Sequence, residues 1–567
     1  MCEFYLKYIF SMNNLIRIYC KNTNSYQDFE AGVSLLKIFE AMKIKLPNPL
    51  AGARVNNISR SLTYQCYSPK DVEFIDISDP SGMRSYVRSL CCILSKAVND
   101  LFPQAKIYFE HPVSKGYYCY LDISAEITTE IAENLKKRML EIISEDLPFE
   151  SYQKHTKEVV SLFRKNNMED KALLLESIGK IYCRYNVLGT HIDYYYGALL
   201  PSARFIYLFG LEKYEDGLLL RVPNMQQPYE LQPLVRQDKM MAVFNEFLTY
   251  QKAIDMRNVG DLNFANQQGK ISDFVKVSEA LQERKIAHIA DEITRKFQKS
   301  GVRIILISGP SSAGKTTFCK RLLIELMVNT LNPISISLDD YYVNRVNTPL
   351  DEKGEYDYES LYAIDLKTFN EDLKKVLNGK EVALPTYDFT RGERVYKGNT
   401  IQLKENSVLV MEGIHALNPD LLQGIDPSIT YKVYVSALTT ISLDDHNWIP
   451  TTDNRLLRRI VRDYQFRNYS AKETISRWAS VRSGEDKWIF PYQEEADAMF
   501  NSAMIYEFAA LRRSAEPILS QVSPLDSEYS EAYRLLKFLN YFKYIDIEEL
   551  PNTSLLREFL GGSSFRY

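Results

Sequence analysis

Short apolar runs and helically spaced apolar positions alternate along the first 80 residues and predict a small α+β unit. The β-like runs are rich in β-branched and aromatic residues and are separated by turn residues. These patterns predict strands at 16–20, 26–29, 53–56 and 72–77, with a helix at 34–42. The order of these elements fits a β-grasp domain at residues 12–77.

Three longer segments between residues 83 and 293 repeat their apolar residues every three or four positions, as an amphipathic helix does. They are 83–102, 240–248 and 277–293. We place the first helix in a second domain, of α+β type, at 78–225. The other two fall within 226–300, a stretch with few turn signals, which we predict to be a helical connector.

After residue 301, apolar runs of strand length alternate with helical patterns. The runs lie at 304–307, 334–338, 408–412 and 431–435. This alternation predicts a parallel sheet with helices on both faces, which we assign to 301–515. A helical tail is predicted at 516–567. The chain as a whole is therefore expected to be a multidomain α/β protein.

The run at 304–307 is followed by Gly-Pro-Ser-Ser-Ala-Gly-Lys-Thr at 309–316, an unbroken G-x-x-x-x-G-K-[ST] pattern. Between a strand and a helix, this pattern predicts a phosphate-binding loop, or P-loop, whereas a Gly/Ser-rich turn without a ligand is the alternative. Its glycines let successive N–H groups turn toward one anion, and the following helix adds its dipole. The residues predicted to bind ATP are Gly309, Pro310, Ser311, Ser312, Ala313, Gly314, Lys315, Thr316 and Thr317.

Two acids follow predicted strands of the same sheet. Asp339 comes after the run at 334–338, and Glu412 ends the run at 408–412. Parallel sheets bind ligands at the carboxyl ends of their strands, so both acids should lie beside the P-loop. There Asp339 is suited to accept the proton of an attacking hydroxyl, although capping a loop is its alternative role. Glu412 and the Thr316 hydroxyl are predicted to hold Mg²⁺.

An arginine-rich segment follows the last predicted strand. Its members fall on one face of a helix, with one more just beyond: Arg455, Arg458, Arg459, Arg462 and Arg467. Arginines on a mobile lid can neutralise charge on a transferring phosphoryl group, whereas a solvated basic face is the ordinary alternative. We predict that Arg462 and Arg467 act in catalysis with Lys315 and Asp339.

Composition adds limits. The 567 residues are 45% hydrophobic and 25% charged, with a net charge of −4, which gives no global attraction to nucleic acid. Eight cysteines without a C-x-x-C pair indicate reduced thiols, so we expect a cytoplasmic protein. No apolar run is long enough to span a membrane. Residues 1–11 contain Glu3 and Lys7 and are not expected to be a signal peptide; Met12 is a second candidate start.

Residues 303–510 resemble the uridine kinase and phosphoribulokinase family of P-loop kinases. The resemblance rests on motifs in family order: 309–317, Ser-Leu-Asp-Asp-Tyr-Tyr at 337–342, Tyr-Asp-Tyr-Glu-Ser at 356–360, Pro-Thr-Tyr-Asp-Phe at 385–389, Glu-Gly-Ile-His at 412–415 and the arginine-rich segment 455–463. It implies that Asp339 is the catalytic base and that Arg462 and Arg467 belong to a lid. It also implies that Asp357 holds the ribose hydroxyls and that Tyr387 lies beside the substrate's base. We add Arg394 to these candidate substrate-binding residues.

Two departures from that family bear on the substrate. Uridine kinases show Phe-Asp-His-Pro-Asp where this chain has residues 356–360, and a base-recognising histidine where this chain has Gly392. A pocket that loses a hydrogen-bonding group loses discrimination between bases. The resemblance therefore implies kinase chemistry more firmly than it implies uridine.

The front of the chain resembles the TGS domain and the editing-type second domain of threonyl-tRNA synthetases. The first likeness rests on the β-grasp layout and on Pro-Lys-Asp-Val-Glu-Phe at 69–74. In the second domain, Arg88 and Cys92 stand where the family has its first histidine pair, and Tyr195 and Leu199 where it has its cysteine and second histidine. We therefore expect neither editing nor metal binding there. The fusion resembles a group of bacterial nucleoside kinases.

These observations predict an ATP- and Mg²⁺-dependent kinase that phosphorylates a hydroxyl of a small molecule, and the predicted acceptor is the 5′-hydroxyl of a nucleoside such as uridine or cytidine. The alternative is an RNA- or tRNA-associated protein in which ATP acts as a switch. The front domains are candidates for binding an RNA or a regulatory metabolite. We expect a homo-oligomer with no membrane partner.

Overall fold

The computed structural model describes residues 15–351 and 354–566. The segment 1–11 and the candidate start at Met12 lie outside the described residues. The front of the chain forms a five-stranded sheet in the order β2-β1-β7-β4-β5, with β1 parallel to β7. Its elements are β1 (Leu15–Cys20), β2 (Ser25–Glu30), β3 (Val33–Ser34), α1 (Leu35–Ala41), β4 (Leu50–Val55), β5 (Ile58–Arg60), β6 (Gln65–Cys66) and β7 (Lys70–Asp76). The four predicted strands and the predicted helix are confirmed.

A long buried helix, α2, begins the next part of the chain. It is capped by the Asp79 side chain, which accepts from Ser81 N, and Pro80 fits the first turn because its missing N–H needs no partner there. The elements of this part are α2 (Pro80–Leu101), β8 (Lys106–Val113), β9 (Gly116–Asp122), α3 (Thr129–Ser144), β10 (Phe149–His155), α4 (Thr156–Lys165), α5 (Glu169–Ser177), β11 (Tyr182–Leu188), β12 (His191–Asp193), β13 (Gly210–Tyr214) and β14 (Gly217–Arg221). The sheet β13-β14-β9-β8 packs on α2, and β10-β11-β12 forms a separate sheet.

The predicted connector is helical, as expected. It contains α6 (Asp238–Ala253), α7 (Val259–Gln267) and α8 (Ile271–Ser300). Helix α8 ends at Gly301, whose φ of 73° is a left-handed conformation that glycine adopts without strain. No helix among the described residues is both long and apolar enough to cross a membrane.

The second half of the chain contains a five-stranded, fully parallel sheet in the order β16-β19-β15-β20-β21. Its elements are β15 (Ile304–Ser308), α9 (Lys315–Val328), β16 (Asn332–Ser337), α10 (Leu366–Leu377), β17 (Val382–Asp388), β18 (Glu393–Ile401), β19 (Ser407–Glu412), β20 (Thr430–Ser436), α11 (Thr451–Phe466), α12 (Ala471–Trp488), β21 (Ala498–Asn501), α13 (Glu507–Leu519), α14 (Tyr529–Leu539) and α15 (Arg557–Leu560). Along β15, Ile304 and Leu306 enter one core, and Ile305 and Ile307 enter the other. Both faces of the sheet are therefore covered, as the apolar runs predict.

The C-terminal segment is part of the kinase-like core. The predicted boundary at 515/516 falls inside helix α13. Leu555, Leu556 and Phe559 are fully buried in the same cluster as Ile305 of the central strand. The hydrophobic pattern predicts helices in this tail but carries no information about which surface they cover.

A buried ion network joins the front half to the back half. Lys171 on α5 lies 2.8 Å from Asp444 and 3.3 Å from Asp193, and its side chain is only 1% exposed. His446 Nδ1 lies 2.8 Å from Asp193 Oδ2. Burial alone would lower the pKa of Lys171, but the neighbouring carboxylates outweigh it and raise that pKa. The lysine therefore stays charged and bridges two parts of the chain.

Replacing Lys171 by Met should lower the free energy of unfolding by about 3–5 kcal/mol, because Asp444 would keep a buried charge without its cation. The measurement is the midpoint of chemical denaturation followed by circular dichroism. Lys165→Met, at the exposed end of α4, is the control and should change stability by less than about 0.5 kcal/mol. Equal midpoints for the two variants would contradict this role for Lys171.

Candidate active site

The loop after β15 has the backbone of an anion-binding cradle. Gly309 has a φ of 156°, and a Cβ there would overlap the carbonyl oxygen of Val435 on the neighbouring strand. Gly314 has a φ of 82° and stands at the N-terminus of α9. The hydroxyl oxygen of Ser312 is buried and has no partner in the described chain. Only glycine fits at position 309. The unpaired hydroxyl of Ser312 and the loop backbone can form hydrogen bonds to phosphate oxygens.

Two buried arginines of α11 brace this loop. Arg455 donates to Ser311 O at 3.3 Å and to Glu485 Oε2 at 2.6 Å. Arg458 donates to Ser312 O at 3.4 Å and forms an ion pair with Glu507. Arg455 and Arg458 of the arginine-rich segment therefore support the structure of the loop, because their side chains are at most 2% exposed and are already paired with carboxylates.

Carboxylates of the chain itself lie against amides of the loop. Ser311 N donates to Glu485 Oε1 at 3.2 Å. In the first turn of α9, Thr317 donates to one oxygen of Glu558, from N at 3.1 Å and from Oγ1 at 2.7 Å. Lys315 turns back on the loop, with Nζ 3.2 Å from Pro310 O. Glu558 thus uses donors that suit a phosphate group.

The two strand-end acids lie beside the loop, as the sequence predicts. In the sheet register, Glu412 at the end of β19 pairs with Ser337 of β16 and with Ile307 of β15. Asp339 follows two residues after Ser337, in a 3₁₀ turn. Burial first, then the negative charges of Asp339 and Glu558 against the positive charge of Lys315, raise the pKa of Glu412 to about 7. A buried acid in this position gains strongly from a cation.

The remaining arginines surround one acid, Asp463. Arg459 contacts it at 3.3 Å, Arg462 at 2.8 Å and Arg467 at 3.7 Å. Arg459 also donates to Ser311 Oγ at 2.9 Å. Burial and the neighbouring Arg462 lower the pKa of Arg467, and Asp339 is among the charges that act on it. The predicted lid pair, Arg462 and Arg467, therefore meets at Asp463.

Of the candidate substrate-binding residues, Tyr387 is connected to the predicted base. Tyr387 is buried on β17, its amide donates to Asp340 Oδ1 at 3.1 Å, and its ring packs against that of Tyr342. The backbone N–H of Tyr342 in turn donates to the carbonyl oxygen of Asp339 at 3.4 Å. These contacts connect Tyr387 to the predicted base through Tyr342.

Arg394 and Asp357 are engaged elsewhere. Arg394 donates to Asp365 Oδ2 at 2.8 Å, at the N-terminus of α10. Asp357 accepts from Glu359 N at 3.1 Å and so shapes the loop before Ser360. The structure thus shows a local structural contact for each, and their substrate role stays a prediction.

Position 392 is occupied by another residue's side chain. A Cβ at Gly392 would lie 2.8 Å from Arg345 Nε, and Arg345 N donates to Gly392 O at 2.8 Å. Arg345 also donates to Phe389 O at 2.5 Å. An arginine therefore lies where the resemblance leads one to expect an imidazole. A guanidinium only donates hydrogen bonds, whereas a neutral imidazole can also accept one, so the groups offered to a substrate there are different.

Several site residues are missed by reasoning from sequence. Glu485 and Glu558 reach the loop from two distant segments, and no motif marks them. Glu359 lies in the quoted Tyr-Asp-Tyr-Glu-Ser motif but is not among the predicted site residues. His415 also lies in a quoted motif, Glu-Gly-Ile-His. It is fully buried, and burial lowers its pKa to about 4, with Lys315 adding to the effect. A neutral imidazole beside the P-loop lysine is the result.

The residues at the positions of the synthetase editing motif do not form a catalytic group in the described structure. Cys92 is buried among apolar residues on α2, with Tyr195 and Leu199 in the same cluster. Within residues 15–351 and 354–566, no group of three or more metal-ligating side chains comes together.

Comparisons with known proteins agree with the motifs. The Phosphoribulokinase / Uridine kinase family matches residues 304–507. A uridine kinase of Staphylococcus aureus (strain JH9) is 32% identical over 195 residues, which are 34% of this chain and 84% of that protein.

Two solved structures share parts of the chain with low overall similarity. A possible uridine kinase from Bacillus stearothermophilus has 18% identity and a TM-score of 0.27, over 37% of this chain and 97% of that one. A D-glycerate 3-kinase from Cryptococcus neoformans has 12% identity and a TM-score of 0.20, over 45% and 87%. Both scores are too low for a comparison of site geometry. Because the S. aureus relative is matched over most of its length, the chain belongs to the phosphoribulokinase/uridine kinase family of kinases that act on hydroxyls of small molecules.

Proposed function

We propose that the chain transfers a phosphoryl group from ATP to the 5′-hydroxyl of a nucleoside. The observation that carries this proposal is the sheet register, which brings Asp339 and Glu412 to adjacent strand ends beside the P-loop. An acid next to a phosphate cradle can accept the proton of an attacking alcohol. The nucleoside as acceptor rests on the likeness to the S. aureus uridine kinase.

The site residues divide this work between them. The loop amides and Lys315 would bind the phosphates, and Thr316 and Glu412 would hold Mg²⁺, which supplies charge neutralisation when bound. Asp339 would take the proton from the hydroxyl. Arg462 and Arg467 would stabilise charge on the group in transfer. Tyr387, with Asp357 and Arg394 as further candidates, would position the acceptor.

Arg345 bears on which nucleoside binds. Its guanidinium has only donors, so it can contact carbonyl oxygens of a base but cannot accept from a base amino group. We therefore expect uridine to be preferred over cytidine. A purified-protein screen with ATP and a panel of nucleosides, sugar phosphates and pantothenate-like alcohols tests the acceptor class. If the protein phosphorylates none of these compounds, the proposal is wrong.

Asp339→Asn should lower kcat by about 10²–10⁴-fold and leave ATP affinity nearly unchanged, because only proton acceptance is lost. Steady-state kinetics and nucleotide titration measure the two effects separately. Asp426→Asn is a matched control at the opposite end of the sheet, before β20, and should turn over normally. Normal turnover by Asp339→Asn would remove Asp339 as the base.

Glu558→Gln should tighten ATP binding by about five-fold, because the carboxylate on Thr317 opposes a phosphate at the same donors. The Kd for ATP is measured by calorimetry on the full chain. The control, Glu549→Gln, neutralises an exposed acid of the same tail. Weaker binding by Glu558→Gln would show that this carboxylate supports the nucleotide site.

Glu359 should make the ATP-free protein less stable as pH rises. Burial, with Glu485 and Asp339, outweighs Arg459 and Lys315 and raises the pKa of Glu359 from 4.5 to about 7. The folded state then binds more protons than the unfolded state, so its contribution to stability falls between about pH 4.5 and pH 7. Glu359→Gln should reduce this fall in denaturation midpoints measured across that range, and Glu412, whose pKa is also raised to about 7, accounts for part of the fall that is left. Parallel pH profiles for wild type and variant would contradict the assignment.

A further inference from the structure

Arg88 is a buried arginine without an acceptor. Its side chain is 8% exposed, and its guanidinium carbon lies 4.6 Å from the centroid of the Tyr196 ring. It makes no hydrogen bond or ion pair with any residue in the described ranges. The guanidinium offers five N–H donors, and none of its nitrogens is among the fully buried polar atoms that lack a partner, so the group is open to an acceptor from outside the chain.

The fold holds Arg88 in this position beside a second cation. A Cβ at Gly197 would overlap the Arg88 guanidinium, so the close approach requires glycine. Lys537 on α14 donates from Nζ to Tyr196 O at 2.7 Å. A guanidinium and an ammonium therefore both contact Tyr196, although their charges repel each other.

Further cations converge from separate parts of the chain. Lys180 Nζ lies 5.5 Å from the ring centroid of Tyr541, and that ring lies 6.3 Å from the ring of Tyr196. Burial lowers the pKa of Lys537 to about 8, and four neighbouring positive charges add to this effect. These charges are those of Arg88, Lys180, Arg60 and Arg184. We call Arg60, Arg88, Lys180, Arg184 and Lys537 the junction cluster, because its members come from β5, α2, β11 with the turn before it, and α14.

The acids beside the junction cluster are already used. Glu531, on the same helix as Lys537, contacts Arg84 at 3.0 Å and Arg534 at 2.5 Å. Asp453 contacts Arg534 at 2.6 Å. Members of the junction cluster form no ion pair with a described carboxylate. The positive charge of the cluster is therefore not neutralised by the chain.

We propose that the junction cluster binds a small anion that carries two or more phosphate groups. Guanidinium groups match phosphate oxygens in pairs, and several cations around one point favour a multiply charged ligand. The chain as a whole has a net charge of −4, so the positive region is local. A compact polyphosphate fits that distribution better than a long nucleic acid, which needs an extended basic surface.

The experiment titrates inorganic tripolyphosphate into the full chain by calorimetry, in a Lys315→Ala background that weakens binding at the P-loop. Arg88→Met and Lys537→Met should each raise the Kd by about ten-fold or more. Gly197→Ala should also raise it, because the methyl group displaces the guanidinium without changing the charge. Lys137→Met, which removes an exposed charge on α3, is the control and should leave the Kd unchanged.

Several results would overturn the proposal. One is the absence of tripolyphosphate binding in the Lys315→Ala background. Another is a Kd that the Arg88 and Lys537 variants do not change. Binding of single-stranded RNA with steep salt dependence, but not of tripolyphosphate, would assign the cluster to a nucleic acid instead. Each result is independent of the acceptor screen, because the junction cluster contains none of the proposed kinase residues.

Discussion

The P-loop depends on two buried ion pairs, Arg455 with Glu485 and Arg458 with Glu507. Removing four charges from water is expensive, and such pairs do not by themselves add stability. Here each guanidinium also donates to a loop carbonyl, at Ser311 and Ser312. The pairs therefore fix the shape of the loop. An anion site has to be rigid before the anion arrives, because reorganisation during binding would cost affinity.

This bracing also explains how charge is distributed around the loop. Glu485 accepts hydrogen bonds from both Arg455 and the amide of Ser311, and Glu558 accepts from Thr317 in the first turn of α9. The chain thus supplies negative charge to a site suited to a triphosphate. The donors of Thr317 that Glu558 occupies are the ones that a triphosphate bound at this loop would also use.

The parts of the fold that depend on local periodicity are predictable from the sequence. The strands at 304–307 and 408–412 are buried on both faces and therefore show as continuous apolar runs, and Asp339 and Glu412 follow from the parallel topology. The pairing of Arg458 with Glu507 joins residues far apart in sequence, and no local pattern encodes it. For the same reason a stripe of arginines predicts a lid, whereas the structure buries Arg455 and Arg458 and places Arg462 and Arg467 around Asp463.

Burial of the C-terminal segment has a consequence for synthesis on the ribosome. Leu555, Leu556 and Phe559 complete the apolar cluster that covers one face of the sheet, and Glu558 reaches the first turn of α9. The strands at 304–308 and 430–436 leave the ribosome long before these residues do. The core therefore stays open during most of translation, and the nascent kinase half exposes apolar surface to chaperones until residue 560 has emerged.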